Sequence, residues 1–182
     1  MDMPAPGAEA ADADPGKALA ELESYCLVAR APEVPVFSVH RLVQEVTRRR
    51  QGGGQAVPPG LSEALRWVDA AFVGNPEDVR DWLVLDPLTP HARAVVARAD
   101  SYGIADPTTR LMCQAGVLLH TKALHAEAEP LMRRAFAISL ASFGLEHSTS
   151  QTIGGNYIEL LKTMGKTDDD IHVEVTAVLR KA

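Results

Sequence analysis

The side chains best suited to hold a metal or move a proton near neutral pH are six histidines, at positions 40, 91, 120, 125, 147 and 172. No two of them stand four apart with a glutamate between, the H-E-x-x-H spacing that sets two imidazoles and a general base on one helix face. His120, His125 and Glu127 fall close enough to meet at one inter-helix turn. A zinc centre takes three or four ligands with an ordered outer shell, however, so solvated loop side chains are the expectation. The serines include no G-x-S-x-G elbow, and neither cysteine, Cys26 or Cys113, has a basic partner beside it to hold a thiolate. Asp168 and Asp169 are adjacent, so they diverge around a helix and cannot flank one substrate bond. Gly52-Gly53-Gly54 lacks the Lys and Ser/Thr that complete a phosphate-cradling P-loop. The chain is expected to be no enzyme and to need no cofactor of its own.

The elements that would position a binding side chain are helices, and they are written twice. Leu111, Ala115, Leu118 and Leu119 form one helical stripe, and adding 42 to each number gives Ile153, Tyr157, Leu160 and Leu161. The same shift carries Leu131 to Val173 and Ala135 to Ala177, so the second helix of the unit is expected to recur as well. Such a period marks a stacked array in which each unit buries its apolar face against its neighbour. Gly154-Gly155 inside the repeated first helix costs roughly 0.8–1.0 kcal/mol per glycine against Ala, which predicts a weaker helix there. Ser148 and Gln151 have the spacing of a capping box, and Thr167 with Asp168, Asp169 and Asp170 opens the last helix. That helix is expected to bury Ile171, Val175, Val178 and Leu179, although the alternation at 171, 173 and 175 also fits a strand.

Ala115-Gly116, Leu119, Ala126-Glu127-Ala128-Glu129-Pro130-Leu131, Arg133-Arg134-Ala135 and Ala137-Ile138 carry a resemblance. Over residues 109–182 the chain resembles two tetratricopeptide repeats of the kinesin-light-chain type. The resemblance implies antiparallel helices in close approach, and a concave groove, lined by the first helix of each unit, that takes a protein or peptide ligand. Its groove candidates are Met112, Gln114 and His120 in the first unit and Asn156 and Glu159 in the second. A solenoid end needs a polar cap. The valine-rich last helix has none, so self-association through it is expected.

Residues 1–15, mostly Ala, Pro and Asp, have little to bury and read as a disordered tail. Ala18, Leu19 and Leu22 mark a short helix, and 25–28 and 34–39 read as strands around the turn Arg30-Ala31-Pro32-Glu33. Leu42, Val43 and Val46 start another helix that ends in Arg48-Arg49-Arg50. With Phe37-Ser38-Val39-His40-Arg41-Leu42-Val43-Gln44, residues 16–50 resemble the end of the winged-helix region in bacterial signalling NTPases of the NB-ARC, or STAND, type. Tetratricopeptide repeats commonly follow that region. By this resemblance His40 contacts the phosphates of bound ADP, a role that requires an NTPase domain.

Residues 51–60, QGGGQAVPPG, read as a linker, and 61–108 as a helical connector that packs as a further hairpin. Leu61, Leu65, Val68 and Phe72 share a stripe flanked by Trp67. Helix starts are expected at Asn75-Pro76, Thr89-Pro90 and Asp106-Pro107, each a cap residue before proline. Val79, Trp82 and Leu83 would line the first of these helices and Val95, Val96, Ala99 and Tyr102 the second, with Gly103 as its stop.

Composition agrees with helices packed through Leu, Val and Ala: 46% of the 182 residues are hydrophobic but only 5% aromatic. A net charge of −6 argues against a general binder of nucleic acid or anionic membrane. Both cysteines are expected to be buried free thiols in a reducing cytosol. No apolar run approaches the roughly 20 residues of a membrane span, and the N-terminus lacks the order of a signal peptide, so a cytoplasmic protein is expected. The expected fold is mainly α, stacked helical hairpins in a TPR-like solenoid, with a small partial winged-helix β-hairpin near the N-terminus. The expected function is a non-enzymatic protein-protein interaction module, an adaptor or sensor piece of a STAND-type signalling NTPase. One alternative is a DNA-binding winged-helix regulator using Arg41 and 48–50, which Glu21 and Glu23 on the preceding helix oppose. The other is a nucleotide-gated switch working with an NTPase domain in trans.

Overall fold

The computed structural model describes residues 15–31, 37–51 and 56–180. Among these the chain is mainly helical, with one two-stranded antiparallel sheet, and it divides into two units, Met1–Ala56 and Val57–Ala182. Residues 1–14 of the expected tail, 32–36 of the hairpin and 52–55 of the linker lie outside the described residues.

In the first unit α1 (Pro15–Ser24) ends at a turn in which Cys26 takes φ +54°. The N–H groups of Cys26 and Leu27 there donate to the carbonyls of Glu23 and Leu22. The chain continues as β1 (Val28–Arg30), β2 (Phe37–Val39) and α2 (Arg41–Gln51), with Val28 opposite Val39 and Arg30 opposite Phe37. The first strand thus begins at Val28 rather than Tyr25, because Tyr25 and Cys26 are used to end the helix. Arg30, expected in the turn, pairs in the ladder and reaches back to Glu23 at 2.9 Å. Cys26 is exposed, which corrects its expected burial.

The second unit consists of α3 (Pro59–Ala71), a short 3-10 turn (Val79–Asp81), α4 (Trp82–Ser101), α5 (Thr108–Thr121), α6 (His125–Phe143), α7 (Ser148–Thr163) and α8 (Asp168–Leu179). Thr89-Pro90 does not start a helix, since α4 runs through it with Pro87 and Pro90 inside. Both prolines are exposed, so the carbonyls they leave without a donor lie on the outward side, and Thr89 Oγ1 donates to the Leu85 carbonyl at 2.8 Å. Val79 and Leu83 do not line a core; they are 65% and 86% exposed, and Leu85 and Ala92 face inward instead, in one stripe with the expected Val95, Val96 and Ala99. Gly103 does stop α4: its N–H and that of Ile104 close on Asp100 and Ala99.

The repeat is written into the core. Leu111 and Ile153, Ala115 and Tyr157, Leu118 and Leu160, and Leu119 and Leu161 are all buried. So are Thr108 and Ser150, a further pair 42 apart. The second helices follow a different count. Val173 is 66% exposed and Ala177 is exposed, whereas Ile171, Val175 and Val178 pack inward 43 residues after Ala128, Met132 and Ala135. The α7–α8 connection spans 164–167 where α5–α6 uses 122–124, and that extra residue turns α8 by one position. Its N-terminus carries the expected Thr167 cap, as a full capping box with Asp170. At α7 the cap is His147, whose Nδ1 accepts from the Thr149 N–H at 3.2 Å; the Ser148–Gln151 box does not form, because Ser148 is already helical.

Side-chain bonds tie like helices together in two rows. Asp69 on α3 accepts from Arg110 on α5 at 2.7 Å, and Cys113 on α5 accepts from Asn156 on α7 at 3.3 Å. In the other row α4 presents Asp86, Arg93 and Asp100, seven residues apart, to Lys122, Glu127 and Arg134 at 2.6 Å each. Residues seven apart lie on one helix face, so α4 meets the α5–α6 hairpin along a seam of opposite charges.

Candidate functional site

The five groove candidates do not share one surface. Met112 is 3% exposed and belongs to the core, a correction that follows from its place between the buried Leu111 and Cys113 at the centre of a helix packed on several sides. Gln114 and Asn156 are half-buried, and Asn156 uses its amide on Cys113 Sγ. Burial pushes the Cys113 thiol above its ordinary range, so this bond holds an inert side chain between α5 and α7. Glu159 is exposed one turn beyond Asn156, in line with exposed Thr152 and Thr163. What remains of the expected groove is therefore a polar stripe: Gln114 on α5, and Thr152, Asn156, Glu159 and Thr163 on α7.

His120 lies at the far end of α5 and is occupied locally. Its Nδ1 sits 3.2 Å from Nδ1 of His125 across the α5–α6 turn, so one ring must donate to the other. Glu127, the third member of the possible metal set, bonds to Arg93 at 2.6 Å, and among the described residues no group of three or more His, Cys, Asp or Glu is placed to hold a metal. In the first unit His40 is exposed at the start of α2, where Nδ1 accepts from the Leu42 N–H at 3.2 Å. This is the bond His147 makes at α7. With Nδ1 accepting, the donor nitrogen of a neutral ring is Nε2. Arg41 is exposed on the same helix, while the side chains of Arg48 and Arg50 lie outside the described residues.

A site that the sequence reading did not single out lies where the second hairpin opens. The α5–α6 pair is tight because Gly116 lets Met132 approach: a Cβ there would stand 2.6 Å from Met132 Cγ. A cleft of about 820 Å³ lies beside this pair, lined by α6, α7 and α8. Its floor is Tyr157 and Leu161 of α7, with Met164 at the end. Its walls are Ala126, Glu129, Pro130, Arg133, Arg134 and Ala137 on one side and Lys166, Glu174, Ala177 and Val178 on the other.

Tyr157 is fully buried beneath this cleft, and its hydroxyl lies 3.3 Å from Glu129 and 3.2 Å from Glu174. Burial first, and then the two carboxylates, hold the phenol well above its ordinary value near 10. Each carboxylate also has a cation on its own wall: Arg133 with Glu129 at 3.3 Å, one turn along α6, and Lys166 with Glu174 at 2.8 Å. A tyrosine 42 residues after an alanine in the matching stripe was the one sequence signal for this site. It marks the place where the second hairpin needs a larger, polar-tipped side chain.

No family model, no curated protein and no solved structure matches this chain. No helix among the described residues is long and apolar enough to cross a membrane.

Proposed function

We propose that the chain is a non-enzymatic protein-interaction module of the tetratricopeptide type, an adaptor or sensor piece of a STAND-type signalling NTPase. It grips an extended peptide or a partner helix along the α5/α7 face. The observation that carries this reading is the side-by-side placement of α5 and α7, pinned by Asn156 to Cys113, with the polar stripe of Gln114, Thr152, Asn156, Glu159 and Thr163 beside the bond. Such a row offers hydrogen-bonding and charged side chains at helical spacing on rigid elements, which suits recognition of a linear segment. The recurrence of buried positions 42 apart supports the repeat reading, and α3–α4 stacks as the hairpin before it. In this reading His40 would turn its Nε2–H toward a nucleotide phosphate only when an NTPase domain is present.

Selection of peptides from a random display library against the whole chain tests the proposal. Selected peptides are expected to lose affinity with Gln114→Ala and Glu159→Lys and to keep it with Val173→Asp on the far side of α8. Peptides indifferent to the first two substitutions would remove the basis for it.

A further inference from the structure

We infer that the chain self-associates head to tail: the side of α8 turned away from α6 seats on the side of α4 turned away from α6 in a second copy. The register of these three helices carries this. Leu85, Ala128 and Ile171 are buried at steps of 43, as are Ala92, Ala135 and Val178, so α4, α6 and α8 turn equivalent faces to the core. Each helix then has one side for the helix before it in the row and one for the helix after. Asp86 and Arg93 mark the later side on α4, and Glu129, 43 residues after Asp86, lines the cleft beside α8. Glu127 and Arg134, which bond Arg93 and Asp100 of α4, mark the earlier side on α6, and Ala177, 43 residues after Arg134, lines that cleft from α8.

Two sides of this row have no counterpart among α3–α8. On α8 the positions of Asp86 and Arg93 are taken by His172 and Leu179, and on α4 the positions of Glu127 and Arg134 are taken by Val84 and His91; all four are exposed. The sides that meet inside the chain are charged, whereas the free ones carry no Asp, Glu, Lys or Arg at these positions. Where Arg93 bonds Glu127 at 2.6 Å in the internal seam, the same register between copies sets Leu179, 40% exposed, against Val84, 52% exposed. Leu83 and Val173 add exposed apolar surface beside them. A second copy is the occupant that these sides fit, because each is one half of a seam the chain already forms, with the ion pair replaced by an apolar pair. Neither side matches itself in that register, so the contact is heterologous and repeats from copy to copy.

The contact uses helices other than the α5/α7 face, so the two readings stand or fall separately. Sedimentation of the whole chain from about 1 μM to about 500 μM tests it, and the weight-average mass is expected to rise with concentration. Val84→Glu and Leu179→Arg write the residues of the internal pair onto the two free sides. Alone, each should weaken association at least about tenfold, since a charge then faces an apolar side chain. Mixed in equal amounts, the two variants should recover it: the substituted α8 of one meets the substituted α4 of the other as Arg93 meets Glu127, and the remaining two sides are unaltered. Recovery on mixing also shows that both variants are folded. A chain that stays monomeric throughout, association that survives either substitution alone, or a mixture that sediments no faster than its components would each overturn the inference.

Discussion

Phe136 on α6 lies so close to Gly154 on α7 that a Cβ at that glycine would stand 2.8 Å from the ring edge, whereas one at the adjacent Gly155 would meet nothing within 4 Å. The two glycines have opposite roles. The first admits the neighbouring helix, and the second only loosens its own. Gly155→Ala is expected to raise stability by about 0.8–1.0 kcal/mol through helix propensity. Gly154→Ala should lower it by roughly 1–3 kcal/mol, because Phe136 is nearly buried and must shift. Urea titration of both variants checks the pair of signs; two stabilised variants would show that the α6–α7 contact is looser than this.

The turn between α5 and α6 holds an alanine in a glycine's conformation. Ala123 has φ +60°, and its N–H and that of Leu124 donate to the carbonyls of His120 and Leu119. The equivalent turn after α7 makes the same two bonds with Gly165 at φ +79°. Left-handed backbone costs an L-residue roughly 1–2 kcal/mol, and part of that gain is offset by the greater freedom of an unfolded glycine. Ala123→Gly is therefore expected to stabilise the protein by about 0.5–1 kcal/mol, read as a higher denaturant midpoint with an unchanged slope.

Tyr157 makes stability sensitive to alkali. Its phenol is held above the ordinary value near 10, so the folded chain keeps a proton that the unfolded chain gives up. The stability that this group contributes is fully present below pH 10 and is lost as the pH rises beyond it. Tyr157→Phe is expected to be less stable than the parent at pH 8 by roughly 1.5–3 kcal/mol, the worth of a hydrogen bond to a charged group. The difference should shrink above pH 10. Urea midpoints at pH 8, 10 and 11 for the two proteins decide it; parallel pH profiles would mean that the hydroxyl titrates as in water.

Met112 and Glu159 separate core from surface among the groove candidates. Met112→Ala should cost about 2–5 kcal/mol, as a buried side chain deleted from a packed helix does. Glu159→Ala, on the exposed stripe of α7, should stay within about 0.5 kcal/mol of the parent. Thermal melts of the two variants provide the comparison.

Local periodicity carried most of the secondary structure. Stripes such as Leu111, Ala115 and Leu118 name a helix and its inward face because side chains three and four apart must share a side, and the copy 42 residues on names the hairpin as a unit. The same logic failed at Thr89-Pro90. A cap residue before proline resembles a helix start, yet α4 tolerates both its prolines because they face outward. It also failed at Met112, since α5 is covered on more than one side and its spare face is narrower than one stripe would leave.

The sequence by itself determined that these are helices, that two hairpins are related and that Thr167 begins the last helix. Only the tertiary structure decided where the helices stop fitting. The packing of α6, α7 and α8 leaves a cleft and brings Glu129 and Glu174, 28 and 17 residues from Tyr157, to the same hydroxyl. Spacing along a chain specifies which side chains share a helix face. The meeting of three faces depends on helix angles and loop lengths that act together, and no local pattern records their sum.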